Sequence, residues 1–389
     1  MSTAAAMKKT AAFFAIFLLS SSAYAVIPTP TLPAPPPMPA PQISGVKAAV
    51  LLDVNTNQVL LDQNGQASYD PSGLVKLMTA YLLYQAEQQK LLHPDQKISV
   101  SVQAWHAPGS SMFIQPGLPV TVDELTHGLL IDGGNDAAIA IAQSVAGSTS
   151  GFVDLMNREA AQLGLQQTHF VNPDGMPTPG QRSTALDMAH LARALLVKFP
   201  QVAAVAGQAS YRYNNITQYN YNPLAGQKGI TGLGVGLAAA NNWDLAVSAS
   251  KDGRSLVAVI LGASSRAVAG TDASAMLHYG FHGWKQVQVF PAEAVVARLH
   301  HVDWSPETLS VHTLRAIQVA VPTPGGGKIS SRFVPDPHLQ APIAAGAPVG
   351  SLELLAQGKV LKTEPVFAAN AVTKAGWFAR LWHRVRGAL

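Results

Sequence analysis

A chain of 389 residues exceeds what one hydrophobic core ordinarily holds, about 250 to 300 residues, so two domains plus tails are expected. Cysteine is absent, which excludes a disulfide framework, thiolate catalysis and thiolate zinc sites. The formal charge of +4 lies at the ends: Lys8 and Lys9 supply two charges and Lys374, Arg380, Arg384 and Arg386 four, leaving a body of 20 basic against 22 acidic residues, −2, that offers nucleic acid no basic surface.

The first 25 residues read as a secretory signal, with Lys8 and Lys9, an apolar run from Ala11 to Leu19 and a small-x-small cleavage site at Ala23-Tyr24-Ala25. The apolar run is too short to span a bilayer, so an exported protein starting near Val26 is expected. Residues 26–44 are dense in proline and read as an extended spacer. From Val46, two apolar runs separated by Asn55-Thr56-Asn57 predict a hairpin, which opens a domain expected over residues 45–286. Asp70 suits a helix N-cap with Pro71 at the first helical position, and Leu74, Leu77, Met78, Leu82 and Leu83 continue with helical spacing.

Further helices are predicted from about Val120 to Ile131, Ala137 to Val145, Phe152 to Gly164 and Ser183 to Phe199. The proline- and glycine-rich stretch from Pro173 to Gly180 is a long loop. Leu245–Ser250 and Ser255–Ile260 flank Asp252-Gly253, a strong hairpin signal, and a last helix is expected from Asp272 to Trp284 with Thr271 as its cap. Residues 287–367 hold short β-rich runs and predict a small β-sandwich domain. In residues 368–389, Trp377, Phe378, Leu381, Trp382 and Val385 fall on one helical face, with Arg380, His383, Arg384 and Arg386 outside it. That is the pattern of a helix lying on a membrane surface.

Several stretches together resemble a known family: Asp70-Pro71-x-x-Leu74-x-Lys76-x-Met78-Thr79, Gly109-Ser110-Ser111-Met112, Gly134-Asn135-Asp136-Ala137, Leu163-Gly164-Leu165 with Thr168-His169-Phe170, and Thr231-Gly232. The chain is similar to the D-alanyl-D-alanine carboxypeptidases of the low-molecular-mass penicillin-binding proteins, serine peptidase family S11. The resemblance implies an α/β (α+β) transpeptidase fold, an antiparallel sheet flanked by helices, with a small C-terminal β-domain and an amphipathic anchor. It implies no cofactor, a peptidoglycan stem peptide ending in D-Ala-D-Ala as ligand, other cell-wall enzymes as partners, and a periplasmic place on the inner-membrane surface.

The chemistry of that family uses a serine one helical turn before a lysine, an S-x-N motif and a strand-borne K-T-G. All three are altered here: Gly73 stands at the nucleophile position before Lys76, Gly133 at the serine of S-x-N before Asn135, and Ile230 at the lysine before Thr231 and Gly232, with Leu233 following as a backbone donor. The expectation is a catalytically impaired homologue that binds stem peptides or wall-enzyme partners. The alternative is an active serine carboxypeptidase in which Ser72, four residues before Lys76, replaces the lost nucleophile. Lys228 reads as a solvated strand-end charge rather than a substitute for the lost lysine. His278 and His282 alone have i,i+4 spacing for a metal, but no third ligand is evident and no metal site is expected.

Overall fold

The structure, a computed structural model, describes residues 37–238, 242–324, 328–356 and 358–377. The expected signal, most of the proline-rich spacer and the amphipathic helix beyond Trp377 lie outside the described residues. No described helix is long and apolar enough to cross a membrane.

β1 (Ala48–Asp53) and β2 (Gln58–Gln63) form the predicted hairpin. A 3-10 turn over Ser72–Val75 leads into α1 (Lys76–Gln88). Next come β3 (Lys97–Ile98), α2 (Val102–Trp105), β4 (Val120–Thr121) and α3 (Val122–Leu130). Then follow α4 (Asn135–Ala146), α5 (Thr149–Gln162), α6 (Ala185–Lys198) and α7 (Val202–Ala206). α3 starts where a capping box should: Thr121 Oγ1 accepts from Glu124 N, and the Glu124 carboxylate accepts from Thr121 N. A ribbon of β5 (Ser210–Tyr213) and β6 (Ile216–Tyr219) precedes β7 (Ile230–Ala238), β8 (Asn242–Lys251) and β9 (Arg254–Ala263). Asp252 and Gly253 both take positive φ, 51° and 77°, the two-residue turn that suits strand twist.

The main sheet is antiparallel in the order β2-β1-β9-β8-β7, so β7 is an edge. β1 is buried on both faces, which its unbroken apolar run allows, because one core cluster gathers around α1, α4 and α6 and a second around α8 (Arg266–Gly283). That last helix begins earlier than predicted. Ser265, not Thr271, is the cap, its hydroxyl accepting from Val268 N at 3.1 Å. Gly270 does not interrupt the helix; a Cβ there would stand 2.7 Å from Pro223, so the glycine lets the two segments approach. The end of the proline-rich segment is packed rather than free, since Ile43 is buried in the α8-side core.

The C-terminal part comprises β10 (Trp284–Phe290), β11 (Val295–His300), β12 (Trp304–Ser305), β13 (Thr308–His312), β14 (Ile317–Pro322), β15 (Ile329–Pro335), β16 (Pro348–Ala356), β17 (Lys359–Ala368) and β18 (Thr373–Lys374). Its five-stranded sheet runs β11-β13-β17-β16-β15, and β10 pairs with β14 over a separate core that includes Leu309, Val319, Val349 and Val366. Polar bonds with little exposure tie it to the first domain. Gln58 Nε2 donates to Ala320 O and its Oε1 accepts from Ala320 N, while Gln286 Nε2 donates to Asp53 Oδ1.

Candidate functional site

The start of α1 is not the regular helix that the spacing suggests. Asp70 closes a local turn ahead of the helix instead of capping it: its Oδ1 accepts from Ser72 N at 2.9 Å and from Gln181 Nε2 at 3.1 Å. Ser72 then takes φ 43°, a left-handed conformation, and the chain passes through the 3-10 turn before α-helix begins at Lys76. This corrects the expected i,i+4 relation between Ser72 and Lys76. The Ser72 hydroxyl instead donates to Asp244 Oδ2 of β8 at 2.6 Å, wholly buried. Asp244 also accepts from Gly262 N at 2.6 Å; burial pushes its carboxyl up to about 6, against the opposing effect of these two bonds.

Lys76 is buried in α1, and among the described residues its Nζ makes one hydrogen bond, to Asp174 O at 2.5 Å. Burial lowers its amine to about 8, with Asp174, Asp132 and Asp136 acting the other way. The loop that supplies this carbonyl is held close. Thr79 Oγ1 donates to Pro173 O at 2.7 Å, and Gly175 sits at φ 78° so near Ser72 that a Cβ would overlap the Ser72 carbonyl. Only glycine fits that approach.

The second altered motif lies between α3 and α4. Gly133 has φ 65° and open space where a side chain would begin. Asn135, the first residue of α4, directs its amide to Pro108 O at 2.6 Å, and its backbone N donates to Ser110 O at 2.7 Å. Asp136 organises the same corner, accepting from Met112 N, Ile114 N and the Ser111 hydroxyl. Asp132 is buried, its carboxyl pushed up to about 7 by desolvation and then by Asp136, and its Oδ1 has no hydrogen-bond partner among the described residues.

The third motif opens edge strand β7. Ile230 is half-buried, and the Thr231 hydroxyl lies 2.6 Å from the Ser248 hydroxyl of β8. Gly232 is buried at φ 94°, where a Cβ would overlap the Ala206 carbonyl, and Leu233 is buried beyond it. Lys228 is exposed in the preceding turn. Gly73, Lys76, Gly133 and Leu233 do come together, around a cavity of about 20 Å³. That is room for roughly one water, since one occupies about 10–15 Å³ on this measure.

Gly73 and Lys76 of the first motif, Gly133 of the second and Leu233, which follows the third, therefore line one cavity. A lysine with its pKa lowered toward neutrality is suited to take a proton from a nearby hydroxyl. Gly73 and Gly133 carry none, Ser72 gives its own to Asp244, and Thr231 is paired with Ser248. Sequence reasoning missed Asp174, Asp132 and Asp244. The first acts through its carbonyl, which no side-chain pattern reveals, and Asp244 reaches Ser72 across 172 residues. Asp132 adjoins a motif position and was legible as a titratable neighbour. His278 and His282 stack at 4.1 Å, and among the described residues no group of three or more metal-ligating side chains is present.

Comparison with known proteins gives this architecture a family. Residues 36–265 match the D-alanyl-D-alanine carboxypeptidase family, peptidase S11, and residues 284–374 match the penicillin-binding protein 5 C-terminal domain. The chain is 34% identical to D-alanyl-D-alanine carboxypeptidase DacD of Salmonella typhimurium over 93% of this chain and 96% of that one. It is 32% identical to DacC of Escherichia coli over 94% and 92%. Among solved structures, penicillin binding protein 5 from Haemophilus influenzae aligns with TM-score 0.79 at 25% identity, covering 87% of this chain and all of that one. Penicillin binding protein 6B from Escherichia coli aligns with TM-score 0.68 at 29% identity, covering 86% and 98%.

Proposed function

The chain belongs to the peptidase S11 family of D-alanyl-D-alanine carboxypeptidases, proteins of cell-wall metabolism, and from that premise we propose that it is a family member that binds peptidoglycan stem peptides without cleaving them. One observation carries this reading: Lys76 keeps its buried, lowered amine while the motif positions around it no longer offer a free hydroxyl to activate. Loss of the catalytic serine alone costs a serine protease on the order of 10⁶ in turnover. Here the S-x-N serine and the K-T-G lysine positions are changed as well, to Gly133 and Ile230.

Binding would fall to the retained parts. Among the described residues β7 is a free sheet edge, and an extended peptide can add to such an edge through backbone hydrogen bonds. Thr231 and Gly232 lie on that strand and Asn135 opens α4, while the cavity at Gly73 is too small for a ligand side chain. The exported, membrane-surface setting and association with other wall enzymes form part of the same proposal, resting on the sequence of the two ends. The competing reading, hydrolysis through Ser72 and Lys76, requires Ser72 to leave Asp244 and to give up its left-handed conformation.

The deciding experiment is exposure of the purified mature protein to a fluorescent penicillin. No covalent labelling is expected; acylation of a serine would sink the proposal, and loss of that label in Ser72→Ala would establish the competing reading. The triple variant Gly73→Ser, Gly133→Ser, Ile230→Lys is expected to gain measurable labelling. Gly133→Ser carries a backbone strain of about 1–3 kcal/mol from its positive φ.

A further inference from the structure

Away from the Lys76 corner, a cleft of about 650 Å³ separates the first domain from the C-terminal one. It has the size of a small-molecule site, typically about 300–1,000 Å³, whereas the cavity at Gly73 does not. One wall is the β1–β2 turn around Thr56 and Asn57 with Arg193 from α6; the other is the β13–β14 loop with Arg315, and β17 with Lys362 and Glu364. The walls are pinned to each other by the paired bonds of Gln58 with Ala320 and by Gln286 with Asp53. The cleft is thus preformed, and a ligand entering it need not order the walls.

Its charge is one-sided. Three cationic side chains meet one acidic side chain, and Lys362 Nζ holds Glu364 Oε1 at 2.8 Å, which accounts for the acid. Two guanidinium groups remain. Arg193 uses Nε on Val54 O at 2.8 Å and makes no other hydrogen bond among the described residues, and burial works against its charge, with Glu364 and Asp53 partly offsetting that. Arg315 is exposed on its loop with no described partner. The Thr56 hydroxyl in this wall is fully buried and has no hydrogen-bond partner among the described residues. Free guanidinium forks suit planar or tetrahedral oxyanions, which accept two parallel hydrogen bonds and relieve a partly desolvated cation. Solvated arginines at an ordinary domain seam would lie apart on an open surface; here both line one polar cleft.

We infer that this interdomain cleft is a binding site for an oxyanion-bearing small ligand, a peptide-borne carboxylate or a phosphate, held by Arg193 and Arg315. It is independent of the Gly73–Lys76 corner, so penicillin labelling says nothing about it.

The test is calorimetric titration of the full mature chain with three probes: the dipeptide L-alanyl-γ-D-glutamate, citrate and inorganic phosphate. Saturable binding of at least one probe is expected, weakened tenfold or more in Arg315→Glu and unchanged in Lys97→Glu, an exposed charge on β3. Binding of the dipeptide and citrate but not phosphate identifies a carboxylate ligand, and binding of phosphate alone identifies a phosphate ligand. Arg193→Met is expected to weaken binding similarly; should it fail to fold, Arg315→Glu decides alone, because that side chain is exposed. Absence of saturable binding for all three probes, or an affinity untouched by Arg315→Glu, overturns the inference.

Discussion

Two buried polar corners of the first domain handle charge in opposite ways. At the domain junction, Asp53 is fully buried and answered directly: Arg254 Nε at 2.8 Å, Gln286 Nε2 at 3.0 Å and Thr56 N at 2.9 Å all reach its carboxylate. Arg254 in turn donates to Gly280 O and Trp284 O. At the start of α1, Lys76 is also enclosed, yet it has no ion-pair partner among the described residues, and Asp132 and Asp136 act on it only through space. The first corner is built to hold two domains together. The second holds a lowered amine and the raised carboxyl of Asp132 with no hydrogen bond between them among the described residues, an arrangement that fits proton transfer better than it fits stability.

The comparison is broken most severely by attacking the junction. Arg254→Met leaves Asp53 as an uncompensated buried charge and is expected to destabilise the protein by about 3–5 kcal/mol, read by chemical denaturation. A loss below about 1 kcal/mol would mean that the junction pair is no more structural than a surface ion pair.

Next in size is the loop that covers Lys76. Gly175→Ala drives a methyl group into the Ser72 carbonyl at a left-handed backbone, so the loop must move. A cost of about 2–3 kcal/mol is expected from strain and displacement together. Thermal unfolding measures it, and an unchanged melting temperature would show that the loop does not press on Ser72.

The contrast also explains what could be read in advance. Local chemistry is legible: Asp252-Gly253 marks the β8–β9 hairpin and Thr121 and Glu124 the start of α3, while Gly73, Gly133 and Leu233, the last next to the third altered motif, line one cavity. What failed depended on distant partners. Asp70 looked like an ordinary N-cap, but the turn after it is shaped by Asp244 drawing in the Ser72 hydroxyl and by the close approach of Gly175. A helical spacing rule assumes helical geometry, and Ser72 at φ 43° lies outside it. Thr271 was a plausible cap, but Ser265 offered one earlier and the helix runs on through Gly270.

Ser72→Ala sharpens that point with a smaller effect. It removes the donor to a buried carboxylate and is expected to cost about 2 kcal/mol at neutral pH, where Asp244 is ionised. The folded-state pKa of Asp244, about 6, lies above the ordinary 3.8, so its contribution to stability falls as pH rises between those values. The penalty of Ser72→Ala should therefore shrink as pH is lowered from about 7 to about 5, because a protonated Asp244 no longer demands the hydroxyl. A penalty that is constant with pH would remove Asp244 as its cause.

The smallest effect addresses Lys76 itself. Its amine titrates near 8 in the folded chain against 10.5 in the unfolded one, so between these values the unfolded state binds a proton that the folded state does not. The sign follows: burying the charged amine opposes folding below pH 8, and stability rises as pH climbs from about 8 toward 10.5. For this one group the gain between about pH 8 and about pH 9 is about 1 kcal/mol. Other groups titrate in the same range, so the quantity to measure is the stability difference between the native chain and Lys76→Met at each pH. That difference should move in favour of the native chain by about this amount over the interval. A flat difference would mean that Lys76 stays charged in its corner up to the ordinary lysine range. The contrast with the Asp53–Arg254 junction would then be one of bonding geometry alone, with no tuned amine left over from the family's chemistry.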